Sequence, residues 1–155
     1  MKYMKRTCIG GISFALMSAA AALAGDSSAA DYERGTAVTP LLSTRTTSIG
    51  QPIEYPLTSN PEVTALEVEI APGKQTGWHT HPYPTYGYIL SGAVTIEIRG
   101  GKRIHYEAGE AFAEAVGVPH NGITRGKAPT KILVFFTGEA GKPYMVLDER
   151  QAGAD

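Results

Sequence analysis

The chain has 155 residues, of which 43% are hydrophobic and 19% charged, with a formal net charge of −1. That balance fits one ordinary globular domain, and it excludes a nucleic-acid partner, because no basic stripe or aromatic-basic segment accompanies the near-neutral charge. Eighteen glycines and ten prolines make the chain turn often, which favours many short strands over a few long helices.

The chain opens on Lys2, Lys5 and Arg6, then runs apolar from Cys8 to Leu23 and ends that run at Ala22-Leu23-Ala24. Positive charge, apolar stretch and a small-x-small site in that order predict a secretory signal peptide over residues 1–24. Ala30-Asp31 offers a second cut. The run is shorter than the ~20 apolar residues that span a bilayer, so a membrane anchor is the weaker reading. No cysteine follows it, which argues against a lipoprotein. Removing residues 1–24 takes away three positive charges and no acid, carrying the formal charge from −1 to −4. It also removes Cys8, the one cysteine, so the mature fold is expected to stand without disulfides. The expected location is periplasmic or secreted, with no membrane contact after cleavage.

Residues 25–38 are small and polar and are read as a flexible leader, with a domain over 39–148 and a tail over 149–155. The Thr-rich segment from Pro40 to Ile53 favours strand, and residues 38–49 are expected to form an edge strand. From Val63, Leu66, Val68 and Ile70 alternate with Glu67 and Glu69, the period-two pattern of a strand with one wet face. Ala71-Pro72-Gly73 is a turn. Trp78–His81, Tyr86–Leu90 and Val94–Ile98 read as strands, Gly100-Gly101 as a tight hairpin, and Arg103–Tyr106, Ala111–Glu114 and Lys131–Thr137 as further strands. Tyr144–Leu147 is expected as a last edge strand. Short strands at this spacing, with no helical period beyond the signal segment, predict an all-β sandwich or closed barrel and exclude a doubly wound sheet.

Three histidines are placed for metal binding. His79 and His81 flank Thr80, and on a strand two residues apart share one face, about 6.6 Å apart along the chain. Two such rings can lean onto one ion at about 2.0–2.1 Å, with a third ligand supplied from a neighbouring strand. His120, in Gly117-Val118-Pro119-His120-Asn121, is the candidate. Against this stands the plain alternative of surface or hydrogen-bonded core histidines. His105 lies away from both segments and is read as a surface residue. Trp78, Tyr83, Tyr86, Tyr88 and Phe112 are candidates to line an apolar pocket, with core packing preferred for Tyr88 and Phe112. Pro82 and Pro84 are expected to stiffen the turn after His81.

The stretch Gly73-x5-His79-x-His81-x3-Thr85-x6-Gly92 resembles the first motif of the cupin superfamily, G-x5-H-x-H-x3,4-E-x6-G. Gly109 to Thr124 resembles the second, G-x5-P-x-G-x2-H-x3-N, with Gly109, Gly117 and His120 in register. Trp78-His79-Thr80-His81-Pro82 followed by Gly87-Tyr88-Ile89-Leu90-Ser91-Gly92 is similar to small single-domain bacterial cupin type-2 proteins. The resemblance implies a jelly-roll β-barrel holding one divalent metal ion through His79, His81 and His120. Fe, Mn, Zn, Ni and Cu are not distinguished by imidazole ligands. Three departures stand out. Thr85 occupies the place of the family's metal-binding Glu; Ala115 and Thr124 stand where Pro and Asn are usual. Strand alternation turns Thr85 inward and Tyr86 outward. Glu114 is a candidate replacement ligand, or a hydrogen-bond partner of a histidine ligand, and Thr85 itself is a further candidate beside the ion.

Three functional readings follow. A redox-active ion with open positions resembles the family's dioxygenases. A non-redox isomerase or lyase would use the ion as a Lewis acid and needs a positioned base, for which Glu114 and Tyr86 are the candidates. A third reading is a small-molecule or metal-binding module without turnover. In each the partner is a small molecule, and a homodimer is plausible because open sheet edges need cover.

Overall fold

The computed structural model describes residues 34–148. The expected signal peptide, most of the leader and the tail lie outside the described residues. Residues 34–38 are exposed, and one compact unit begins at Thr39.

Among the described residues that unit has nine strands: β1 (Pro61–Ile70), β2 (His79–Thr80), β3 (Thr85–Ser91), β4 (Ala93–Ile98), β5 (Arg103–Glu107), β6 (Ala111–Ala113), β7 (His120–Ile123), β8 (Thr130–Glu139) and β9 (Val146–Leu147). No helix occurs among the described residues. The strands form a four-stranded sheet in the order β1-β8-β3-β6 and a five-stranded sheet in the order β5-β4-β7-β2-β9. Every ladder is antiparallel. This is the all-β jelly roll expected from the sequence.

Alternation builds the core. In β1, Leu66, Val68 and Ile70 turn inward while Glu67 and Glu69 face water. Its partner β8 turns in Ile132, Val134 and Phe136, each at most 6% exposed. From the facing sheet, Val94, Ile96 and Ile98 of β4 meet them, and Ile89 and Phe112 complete the cluster. Burying one such side chain stabilises the fold by roughly 1.5–3 kcal/mol. Phe112 stacks on Tyr106 with ring centroids 4.3 Å apart, so it is a core residue.

Two expectations are corrected. The sheets face each other but do not close into a barrel. Strands β2, β6 and β9 have only two or three residues, and Pro82 and Pro84, which lack the donor a ladder needs, follow β2 directly. Residues 38–49 are not an edge strand either. Their one regular pairing is the isolated bridge Thr46↔Pro52, because Gly50 and Pro52 bend the segment back on itself. The bend is pinned instead: Ser48 N–H donates to the Ala113 carbonyl, and the Gln51 side chain both donates to the Val116 carbonyl and accepts from the Val116 N–H. The last short strand, β9, does lie at a sheet edge, beside β2.

Candidate functional site

The histidine positions follow from the ladder. His79 pairs with His120 across β2 and β7, and His81 follows two residues on, in an isolated bridge to Val116. The three rings converge. Centroids lie 4.5 Å apart for His79–His120, 4.9 Å for His79–His81 and 5.0 Å for His81–His120. One ring nitrogen from each lies within 4.8 Å of the other two. His81 and His120 are buried, 4% and 1% exposed, and His79 is half-buried.

Each ring is oriented by a backbone carbonyl. Nδ1 of His79 meets the Gly77 carbonyl at 2.8 Å, that of His81 the Tyr144 carbonyl at 2.9 Å, and that of His120 the Val118 carbonyl at 2.9 Å. A carbonyl only accepts, so each Nδ1 carries the proton and each neutral ring keeps its lone pair on Nε2. This is the tautomer a cation needs, fixed by the protein.

The fourth group is Glu114. Its Oε2 lies 2.7 Å from His81 Nε2 and 3.4 Å from His120 Nε2, with the carboxyl side chain 11% exposed. Donors around one ion at about 2.1 Å stand roughly 3.0–3.4 Å apart, so the His120 spacing suits ligands of a shared cation, while the His81 spacing is that of a direct imidazole–carboxylate contact. Glu114 Oε2 and His120 Nε2 are buried, and neither makes a hydrogen bond of good geometry. The three ring nitrogens form the group that can hold an ion, and the Glu114 carboxylate adjoins two of them. The donor set therefore fits a divalent metal ion.

Glu114 also answers the departure at position 85. Thr85 is inward and 1% exposed, as alternation required, but its hydroxyl donates to the Tyr83 carbonyl at 3.1 Å. Glu114 N–H donates to the Thr85 carbonyl at 2.9 Å. The carboxylate absent from β3 is thus carried by the cross-strand neighbour of the very residue that lacks it.

Charge follows geometry. Burial favours a neutral Glu114, but the His120 and His81 imidazoles in contact with it outweigh burial and hold the carboxyl well below the usual range. Burial would also lower His120, but the Glu114 carboxylate beside it wins and raises it above 6.5. His79, farther from that charge, is pushed down to about 4, chiefly by burial and then by its two histidine neighbours.

The cluster forms part of the wall of a cavity of about 520 Å³ between the sheets, with Leu66, Val68, Ile96, Ile132 and Val134 on its apolar sides. Phe136 packs on His81 at 5.2 Å and on Tyr144 at 4.6 Å. Sequence reasoning missed Phe136 and Tyr144. Phe136 is an inward residue of β8 by alternation, while Tyr144 acts through a backbone carbonyl that no side-chain pattern marks.

The expected aromatic lining is corrected. Trp78, Tyr83 and Tyr86 are not among the cavity walls; Tyr88 and Phe112, for which core packing is preferred, are absent from them too, and Phe112 packs in the core as expected. Arg99 lies over the Trp78 ring at 5.6 Å, and Tyr83 covers Gly138. Tyr86 faces the opposite side of its sheet, in a separate hollow with Leu42, Arg45, Ile53 and Tyr55. Burial and Tyr55 push its phenol up to about 12. It cannot serve as a base at the histidines. His105 is exposed on β5, as expected.

Residues 66–136 match the family model of the cupin domain. No curated protein sequence matches the chain. Among solved structures, it is similar to the DMSP lyase DddQ from Ruegeria pomeroyi (24% identity, TM-score 0.51), over 57% of this chain and 44% of that one. It is also similar to an uncharacterised double-stranded β-helix protein from Klebsiella pneumoniae (18% identity, TM-score 0.49), over 63% of this chain and 86% of that one. A third likeness is to the oxalate decarboxylase from Lactobacillus farciminis (21% identity, TM-score 0.48), over 55% of this chain and 26% of that one. The chain thus spans under half of the lyase and about a quarter of the decarboxylase, and the likeness to the lyase speaks to fold, not to activity. The family match, the two histidine motifs and the jelly-roll topology agree that residues 66–136 form a cupin domain.

Proposed function

We propose that the protein holds one divalent metal ion through His79, His81, His120 and Glu114, and binds a small molecule in the cavity beside it. The observation that carries this reading is the convergence of three carbonyl-oriented imidazoles on one another, with the buried Glu114 carboxylate beside two of them. Glu114 supplies the anionic ligand, and Thr85 keeps a structural hydrogen bond. When bound, such an ion offers Lewis acidity and open coordination positions to a small-molecule donor atom.

The residues around it bind and orient rather than move protons. Tyr86 is on the wrong side of its sheet, and Glu114 is engaged with the imidazoles. The isomerase or lyase reading therefore loses both of its candidate bases. Two readings keep their support: a metal-dependent dioxygenase, and a binding module without turnover.

Metal analysis of purified protein tests the ligand set. About one ion per wild-type chain is expected, none in the His79→Ala, His81→Ala double variant, and an affinity about 10–100-fold weaker in Glu114→Gln. Equal metal content in wild type and the double variant would refute the assignment. Oxygen uptake by iron-loaded protein with phenols and thiols then separates turnover from binding.

A further inference from the structure

Resting on the metal reading above, we infer that the ligand of this site is a small, largely apolar molecule with a single anionic metal-binding group, and not a dianion. The body of the ligand would lie between Leu66 and Val68 of β1, Ile132 and Val134 of β8, and Ile96 of β4. A cavity of about 520 Å³ suits a small organic molecule.

Two polar side-chain oxygens of the walls are already engaged within the protein. Gln75 Oε1 accepts from Asn121 Nδ2 at 2.9 Å, and Thr76 Oγ1 accepts from Gly122 N–H at 2.9 Å. Among the described residues no arginine lines the cavity and one lysine does, the exposed Lys74, while Glu69 faces out to Lys131 at 3.4 Å. A second carboxylate on the ligand would lose its water against aliphatic side chains, and the one cation of the lining, the exposed Lys74, would return little of that cost. The charge balance points the same way. Three neutral imidazoles and one carboxylate leave a divalent ion one positive charge, which one anionic group of the ligand neutralises.

Hexanoate and adipate test this, since they differ only by a methyl group exchanged for a carboxylate. Binding to zinc-loaded full-length protein is read by calorimetry, with metal content measured before and after. Hexanoate is expected to bind at least about tenfold tighter than adipate. Val68→Phe, which fills the cavity away from the ligands, is expected to weaken hexanoate about tenfold with zinc content unchanged. Val68→Lys, which adds a cation to the wall, is expected to move the preference toward adipate by a similar factor. Zinc uptake with adipate bound as tightly as hexanoate, or hexanoate binding untouched in Val68→Phe, overturns this inference alone. Protein that takes up no zinc overturns the metal reading, and this inference with it.

Discussion

Glu114 and His120 sit side by side, and the proton they share in metal-free protein governs how a metal enters. The carboxylate raises His120 above 6.5 against the pull of burial, so that ring stays protonated past the ordinary histidine range. A cation must displace that proton. Metal affinity is therefore expected to rise with pH through the region above 6.5, by up to about tenfold per unit where one proton leaves. Competition titrations with zinc at a series of pH values check this, and a flat profile would contradict it. In Glu114→Gln the rise is expected at lower pH, because the group that raises His120 is gone. At this scale much of the site was legible. His79 and His81 shared a face because a strand alternates, and Thr85 turned inward for the same reason. Glu114 was legible only as an unexplained charge in an apolar run. Its hydrogen bond to Thr85 joins residues far apart in sequence, which no local pattern records. Tyr86 was misjudged as a reactive group, although the same alternation that turned Thr85 inward sends its neighbour outward.

Strands as units explain why the motif glycines and threonines matter without touching the site. Gly92 closes the first motif at φ +76°, and a Cβ there would lie 2.6 Å from the Pro129 carbonyl oxygen. Both the turn and the close approach need glycine. Beside it, Thr124 donates to Thr130 at 2.8 Å, and Thr130 donates to the Ala93 carbonyl at 2.7 Å. All three elements meet there: the start of β4, the end of β7 and the start of β8. Thr124 is the residue that stands where the family motif has Asn, and it is 1% exposed in this buried chain. Thr130→Val keeps the shape but strands the Thr124 hydroxyl and the Ala93 carbonyl, at an expected cost of roughly 1–3 kcal/mol. Urea unfolding reads the loss, while metal content stays at the wild-type level. A variant as stable as wild type would show that the chain of hydroxyls is incidental. The expected strand over 38–49 failed at this same scale. Threonine propensity favours a strand only where a partner strand waits, and here the segment folds back through Gly50 and Pro52 to clamp the β6–β7 connection.

The whole molecule carries its charge and its stability in ways the site alone does not show. We propose that the chain's first segment directs export, which is tested by the mass of protein recovered from an expressing cell. A mature chain beginning at Gly25, or at Asp31 for the second cut, is expected; an intact Met1 in the exported fraction would end that reading. With Cys8 as its one cysteine the chain forms no internal disulfide, so beyond its core a bound ion is the cross-link available to it. The proposed ligands come from β2, the turn after it, β7 and the segment after β6, which belong to both sheets. An ion held there would tie the two layers of a sandwich that strand pairing leaves open. Binding to the folded state alone stabilises by about 2.7 kcal/mol at a hundred times the dissociation constant. For a domain of this size that corresponds to roughly 10 °C in Tm. Zinc is therefore expected to raise the wild-type Tm by about that amount, to raise Glu114→Gln less at the same concentration, and to leave the His79→Ala, His81→Ala variant unmoved. A shift of equal size in all three would mean that the ion binds elsewhere.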